Sequence, residues 1–145
     1  MNAIFRKSRF PFAVAMLTAG ALGAGIGTSI AAESKVMLNG TQEVPSVSSA
    51  ASANGTITVR SDRSVSGSVT TSGISGTGAH IHEAAAGKNG PVVIPLTKTS
   101  DGVWSVPAGA KLTDAQYKSY EAGDLYVNVH SDAYKNGEIR AQMKP

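Results

Sequence analysis

Short runs rich in valine, isoleucine and threonine alternate with turn residues from Ser34 onward. Eight such runs are separated by segments of glycine, asparagine, serine, aspartate or proline: SKVML, GTITVR, SVSGSVTT, AHIH, PVVIPL, GVWSV, DLYVNVH and GEIRAQM. β-Branched and aromatic residues in runs of this length are typical of strands joined by short turns. The pattern therefore predicts an all-β domain, an antiparallel sandwich or barrel.

One helix is predicted among these strands. Thr113 and Gln116 match a capping box, in which the side chain of each residue accepts a hydrogen bond from the backbone amide of the other. Gly123 is suited to the residue that closes a helix C-terminus. The predicted helix covers residues 114–122 and links two strands.

The first 32 residues differ in composition from the rest. Three basic residues in MNAIFRKSRF precede the uncharged run AVAMLTAGALGAGIGTSI, which ends at Ala31 and Ala32. This is the pattern of an export signal cleaved after one of the two alanines. A retained membrane anchor is the alternative, because the run is near the length that spans a bilayer. We predict a signal peptide over residues 1–32 and one domain over residues 33–145, periplasmic or secreted, with no stable membrane insertion after cleavage.

Charge and cysteine content narrow the classes of partner. Of thirteen Lys and Arg residues, three lie in the leader, so the segment from Glu33 has ten against ten Asp and Glu. A neutral domain without a basic cluster is not expected to bind nucleic acid. The chain has no cysteine, which excludes disulfides and thiolate ligands. The sequence carries no indication of the oligomeric state.

All three histidines fall in two predicted strands. Because side chains alternate along a strand, His80 and His82 share one face of AHIH while the apolar residues beside them face the core. The same alternation in LYVNVHS turns His130 outward together with Asn128. A His-x-His pair joined by a histidine from another strand is a common set of nitrogen donors for a metal. The pattern favours a solvent-reachable metal site over three incidental surface histidines.

The last run, GEIRAQM, is predicted to pair with the strand that ends near His130. A two-residue turn would pair outward residues with inward ones, so the connection needs an odd length, and we predict a three- or five-residue loop or a bulge. A five-residue loop over residues 133–137 places His130 opposite Arg140 on the outer face. Arg140 is therefore expected beside the metal site.

The segments LNGTQEVPSV, GISG, AHIHEAAAGKNGPVV and LTDAQYKSYEAGDLYVNVHSDAYKNGEIRAQM resemble, in this order, those of CHRD domains, a family named after chordin and abundant in bacterial exported proteins. The resemblance covers residues 36–143. The pattern also resembles the copper half of Cu/Zn superoxide dismutases. That resemblance implies a Greek-key β-sandwich with one short helix and one copper ion bound by His80, His82 and His130. It also implies superoxide as the small-molecule substrate, converted to O₂ and hydrogen peroxide. Because no other histidine is present, no zinc site is expected.

Roles are predicted for the polar residues near the histidines. Arg140 is the candidate catalytic residue, since a permanently charged guanidinium attracts an anion; a solvated charge paired with Glu138 or Asp132 is the alternative. Water or a carboxylate is expected to complete the metal coordination, and the candidates are Glu43, Glu83 and Asp132. Hydrogen bonds to the ligand imidazoles are considered for Glu43, Asn128 and Glu138, with solvated loop charges as the alternative for the two carboxylates. Trp104 and Tyr126 are interpreted as packing residues.

Other functions use the same pattern differently. Zinc on three histidines and a water would resemble a hydrolase site, but no separate general base is evident. A copper storage or delivery protein needs the same ligands without turnover. A non-catalytic extracytoplasmic binding module needs no metal, and the fold does not distinguish these classes.

Overall fold

The computed structural model describes residues 30–145 of the chain. Its strands are β1 (Ala31–Asn39), β2 (Ser52–Arg60), β3 (Val65–Ser72), β4 (Gly76–Glu83), β5 (Val92–Pro95), β6 (Thr97–Ser100), β7 (Val103–Ser105), β8 (Leu125–Ser131) and β9 (Ile139–Gln142). Helix α1 spans Asp114–Glu121, and a 3-10 turn spans Gly40–Gln42. Residues 1–29 of the predicted signal peptide lie outside the described part of the chain. Its last two residues, Ala31 and Ala32, begin β1.

The nine strands form one antiparallel sheet in the order β5-β4-β8-β9-β1-β2-β3-β7-β6. Strands β5 and β6 lie at opposite ends of this order, yet only Leu96 separates them in the chain. Because one residue spans no more than about 3.6 Å, the sheet must curl until its two ends lie close together. The sheet is thus nearly closed, and the predicted all-β, sandwich-like fold is confirmed.

The apolar core fills the inside of the curled sheet. Its centre includes the alternate residues of β8, and Leu125, Val127 and Val129 are each 0% exposed. Ala79 and Ile81 of β4 are 1% exposed, as alternation predicts. Burial of one large aliphatic side chain is worth about 1.5–3 kcal/mol. The two strands that carry the histidines are therefore anchored by the core.

Helix α1 begins where the capping box predicts. The Thr113 hydroxyl accepts a hydrogen bond from the Gln116 amide at 3.2 Å, and the Gln116 side chain accepts one from the Thr113 amide at 2.9 Å. The helix ends one residue before the predicted end, at Glu121, and Gly123 follows with φ of 81°. A single α-helix within the described residues connects β7 to β8, as predicted.

Strand β6 is the strand that alternation does not predict. All four of its residues are exposed, and their sequence, TKTS, has no apolar position. It lies at one end of the sheet and pairs only with β7 in residues 30–145. An edge strand that buries nothing has no hydrophobic period, so sequence reasoning misses it.

The pairing of β8 with β9 differs from the prediction. The structure places Asn128 opposite Arg140, so the predicted pairing of His130 with Arg140 is wrong. The connection covers residues 132–138, longer than predicted but odd in number, as parity requires. A shift of two residues leaves every side chain on its predicted face, and parity therefore does not detect it.

Local hydrogen bonds set the length of this connection. The Tyr134 amide donates to the Ser131 carbonyl at 3.1 Å, and the Gly137 amide donates to the Tyr134 carbonyl at 3.1 Å. Gly137 has φ of 128°, a conformation that favours glycine. The extra residues form this compact turn before β9 begins.

Candidate metal centre

The site is built on the pairing of β4 with β8. The opposed residues are Gly78 with His130, His80 with Asn128, and His82 with Tyr126. Directly opposed residues in a sheet point to the same face, so the three histidines share one face. Because Gly78 has no side chain, nothing opposes the His130 ring across the strands, and that ring packs against His80 with centroids 4.9 Å apart.

The three imidazoles converge on a small volume. One ring nitrogen of each histidine lies within 4.8 Å of those of the other two. Nδ1 of His80 and Nε2 of His130 are 3.1 Å apart. Two nitrogens bound to one tetrahedral cation at 2.0–2.1 Å are about 3.3 Å apart.

Backbone carbonyls determine the tautomers of two imidazoles. Nδ1 of His82 donates to the Gly90 carbonyl at 3.0 Å, and Nδ1 of His130 donates to the Lys135 carbonyl at 2.8 Å, because a carbonyl oxygen only accepts. In a neutral imidazole this leaves a lone pair on Nε2. Both Nε2 atoms are therefore prepared to bind a metal, in the orientation that such hydrogen bonds normally impose on histidine ligands.

Nε2 of His82 is an unsatisfied polar atom in the described part of the chain. It is buried and has no hydrogen-bond partner among residues 30–145. An unsatisfied buried polar atom costs about 1–3 kcal/mol, so its retention calls for an explanation. A cation shared with the neighbouring imidazoles would use this lone pair. On this observation the three histidines fit a metal.

The surroundings keep two of the imidazoles neutral. Burial lowers the pKa of His80, and repulsion from His130 and His82 lowers it further. Burial also lowers the pKa of His82, against the hydrogen bond to Gly90, which raises it. Because the neutral imidazole is the form that binds metal, the site favours the ligand form at neutral pH.

Most of the face around the histidines is buried, contrary to the solvent-facing prediction. Tyr126 and Asn128 are 2% exposed, and Arg140 is 1% exposed. His82 is also buried, whereas His80 and His130 are partly exposed. The cluster is therefore open to solvent on the side of His80 and His130 only.

The loop over residues 84–91 accounts for much of this burial. The side chain of Asn89 donates to the Val44 carbonyl at 2.7 Å, which ties this loop to the connection between β1 and β2. The Gly90 amide donates to the Tyr126 hydroxyl at 3.3 Å. The backbone amide of Gly90 thus contacts Tyr126, and its carbonyl contacts His82. Both side chains lie against this loop.

Arg140 lies behind the site and does not face solvent. Its guanidinium carbon is 3.4 Å from the centre of the Tyr126 ring, and that ring stacks on His82 at 4.8 Å with an interplanar angle of 4°. Its nitrogens donate to the side chains of Asn89 and Gln142, each at 3.2 Å. Burial lowers the pKa of Arg140. The predicted outward exposure of Arg140 is therefore wrong, and so is the alternative of a solvated charge paired with Glu138 or Asp132.

Glu43 is buried as well, although a solvated loop position is the simplest prediction for it. The residue is 5% exposed, and its Oε1 has no hydrogen-bond partner within the described chain. Burial raises the pKa of Glu43, while the charge of Arg140 and the side chain of Asn128 lower it. Glu43 therefore lies behind the histidines, next to Asn128.

The other three carboxylates lie away from the ring nitrogens. Glu138 is 8% exposed and accepts hydrogen bonds from the hydroxyls of Ser49 and Ser131. Glu83 accepts one from Ser119 of α1 at 2.6 Å. Asp132 is exposed and lines a separate cavity of about 360 Å³ beside Trp104. The structure therefore brings together the three histidines and Asn128, with Glu43 and Arg140 behind them.

Sequence reasoning misses three contributors to the site. Tyr126, interpreted as packing, stacks on the ring of His82, and its position opposite His82 depends on the register of β4 and β8. The carbonyls of Gly90 and Lys135 act through the backbone. No side-chain pattern signals a backbone carbonyl, because every residue has one.

The fold and the site define a class: a nearly closed β-sandwich with a cluster of three histidines on two neighbouring strands. The family model of the CHRD domain matches residues 34–143, and the chain belongs to the CHRD family. No curated protein and no solved structure is detectably similar to the chain.

Proposed function

We propose that this CHRD domain binds one copper ion on His80, His82 and His130 and disproportionates superoxide. The observation that carries the proposal is the convergence of three ring nitrogens within 4.8 Å. Nε2 of His82, buried and without another partner in the described chain, adds support. The match to the CHRD family covers residues 34–143 and so includes all three histidines.

The donor set favours copper among the divalent first-row metals. Imidazole nitrogens bind Cu(II) most tightly in the Irving–Williams order. The chain has no cysteine, and Met143 is 0% exposed in the apolar core, so the sulfur ligands of a blue-copper centre are missing. Among residues 30–145 these histidines are the one group of three or more ionisable side chains that could hold a metal. We propose no zinc site.

Bound copper would supply the one-electron steps by which two superoxide ions and two protons become O₂ and hydrogen peroxide. The chain supplies ligands, access and electric field. Access is from the side of His80 and His130, which are partly exposed. Arg140 is too buried to touch an anion arriving from solvent. We propose that its positive charge, located behind Tyr126, acts through its electric field and favours an anion near the cluster.

Copper storage or delivery is a second candidate function. It is favoured by the partial exposure of His80 and His130, because a metal near the surface can be passed to another protein. The ligands are the same as for the enzyme. Turnover is what separates the two candidates.

Export is part of the proposal. The predicted signal over residues 1–32 and the CHRD family both favour a periplasmic or secreted protein. In the described part of the chain, no helix is long and apolar enough to cross a membrane. Superoxide in that compartment would be the substrate.

The test is to load the purified protein with Cu(II) and to measure metal stoichiometry and superoxide removal at several ionic strengths. One copper per chain with rapid removal that slows as salt rises supports the enzyme, because salt screens the attraction of an anion. One copper without turnover supports storage or delivery. No tight copper overturns the proposal and leaves a binding module. The variant His82→Gln serves as the ligand control, and Lys98→Ala, on exposed β6, as the surface control.

A further inference from the structure

Asn128 lies among the histidine nitrogens. Its Oδ1 is 3.1 Å from Nε2 of His130, which is also the distance from that Nε2 to Nδ1 of His80. Asn128 is 2% exposed and stands directly opposite His80 in the sheet. The buried amide oxygen of Asn128 is therefore as close to Nε2 of His130 as the imidazole nitrogen of His80 is.

The contact of Asn128 with His130 is not an ordinary hydrogen bond between neutral groups. Nδ1–H of His130 donates a hydrogen bond to the Lys135 carbonyl, so the neutral ring has its lone pair on Nε2. Oδ1 of Asn128 is a carbonyl oxygen and also carries lone pairs. Two acceptors 3.1 Å apart repel each other unless a proton or a cation joins them. A metal bound to both atoms removes the repulsion.

The far end of the Asn128 amide lies close to Glu43. A Cβ on Gly137 would lie 2.5 Å from Oε1 of Glu43 and 2.8 Å from Nδ2 of Asn128, so carboxyl and amide meet beneath that glycine. Nδ2 is a donor and the carboxylate is an acceptor, and their interaction lowers the pKa of Glu43. This contact directs Nδ2 to Glu43 and Oδ1 to the histidines.

We propose that Oδ1 of Asn128 is the fourth ligand of the metal centre and that Glu43 is the residue that positions its amide. The inference rests on the proposed function, because it needs a cation at the three histidines. Two donors on one cation with bonds of 2.0–2.1 Å lie about 3.3 Å apart, close to the 3.1 Å observed. Three nitrogens and one oxygen form the mixed donor set that suits Cu(II).

The geometry favours the amide over the carboxylates expected for this position. Glu83 bonds to Ser119 on the helix, and Asp132 is exposed beside a different cavity. Glu43 lies behind Asn128. Within the described chain, Asn128 offers the side-chain oxygen that contacts a ring nitrogen of the cluster.

The test compares Asn128→Leu, which keeps the size but removes the oxygen, with Asn128→Asp, which keeps an oxygen. Cu(II) affinity is measured by competition with a chelator, and the coordination by electron paramagnetic resonance (EPR) of the copper protein. Asn128→Leu is expected to raise the copper Kd at least about tenfold and to change the parallel hyperfine splitting. Asn128→Asp is expected to bind at least as tightly as wild type, with a shifted spectrum from the charged oxygen.

Asn54→Leu is the matched control. Asn54 is exposed on β2, and no hydrogen bond joins it to a histidine within residues 30–145. This variant should keep the wild-type EPR spectrum. The role of Glu43 is tested by Glu43→Gln, which keeps an acceptor and should keep the spectrum, against Glu43→Leu, which should shift it towards that of Asn128→Leu.

The outcomes separate the two proposals. If wild type binds copper and Asn128→Leu has the same Kd and spectrum, the fourth-ligand inference is overturned and the three-histidine site stands. If Asn128→Leu does not fold, Asn128→Asp decides: an unchanged spectrum overturns the inference and a shifted one supports it. If wild type binds no copper, both proposals fail. Equal spectra for both Glu43 variants and wild type remove the positioning role of Glu43.

Discussion

The two faces of β8 are almost equally buried but are held by different interactions. Leu125, Val127 and Val129 face the core at 0% exposure, while Tyr126 and Asn128 face the histidines at 2%. The inner face depends on apolar contact, which has no preferred direction. The other face depends on hydrogen bonds and stacked rings, which require particular positions.

This difference separates stability from function within one strand. Apolar packing tolerates substitutions that conserve volume. The polar face does not, because backbone carbonyls hold the rings there in one orientation: that of Gly90 orients His82, and that of Lys135 orients His130. We therefore expect substitutions on the inner face to change the free energy of unfolding, and substitutions on the polar face to change metal binding.

The largest expected effect is on the inner face. Leu125→Ala removes a side chain that is 0% exposed and should lower the free energy of unfolding by about 2–5 kcal/mol. Urea unfolding monitored by circular dichroism measures it. Met37→Ala, at a position 76% exposed, is the control and should change stability by no more than about 0.5 kcal/mol. Equal stability of the two variants would contradict the core assignment.

On the polar face, His82→Ala should weaken copper binding at least about 100-fold, or about 2.7 kcal/mol. The reason is the loss of a proposed ligand whose Nε2 is buried and has no hydrogen-bond partner in the described chain. Metal-free stability should change by less than for Leu125→Ala, since the substitution removes a hydrogen bond and a ring contact worth about 1–2 kcal/mol together. Chelator competition and urea unfolding check both numbers. Full copper retention by this variant contradicts the site.

A smaller effect is expected at the contact between the β8–β9 turn and the site. Gly137→Ala combines φ of 128° with a clash of the new Cβ against Glu43, and should cost about 1–3 kcal/mol. Gly109→Ala is the matched control, because Gly109 also has positive φ, 78°, but no atom lies within 4 Å of its Cβ position. The Gly137 variant should lose more stability and should also weaken copper binding. Equal losses without a copper effect would show that strain alone matters.

The smallest expected effect is on the pH dependence of the metal-free protein. The pKa values of His80 and His82 are lowered from 6.5, so the unfolded chain binds more protons. The contribution of these two histidines to the free energy of unfolding is therefore fully present above about pH 6.5 and declines as pH falls. The raised pKa of Glu43 acts in the opposite sense, since its contribution is present at low pH and is lost as pH rises above 4.5.

Urea midpoints measured between pH 5 and pH 7 with a chelator present test this balance. Wild type should lose stability towards pH 5. The double variant His80→Gln, His82→Gln should show a flatter profile, or one that rises towards acid because of Glu43. Identical profiles for the two proteins would mean that the imidazoles do not titrate differently in the folded and unfolded states.

Much of the fold follows from local patterns. The alternation of apolar and polar residues predicts the buried positions of β4 and β8 and turns His80, His82 and His130 away from the core. The capping box predicts the start of α1 at Asp114. These features are predictable because a strand has a period of two and a helix start needs particular side chains within four residues.

The remaining features of the site depend on contacts between distant segments. Alternation gives parity but not register, so it does not show that Arg140 pairs with Asn128. It also cannot show that the loop over residues 84–91 ties to Val44 and buries the face beneath it. Burial of Glu43, the hydrogen bonds that orient the rings, and the approach of Asn128 to His130 all follow from that tertiary packing.

By itself, the sequence determined which residues of β4 and β8 point to the face of the histidines, because the pleat of a strand is a local property of the backbone. Only the tertiary structure decided what covers that face and which atoms meet there. Those contacts depend on the curl of the whole sheet and on loops far apart in the chain, neither of which leaves a periodic signal in the sequence.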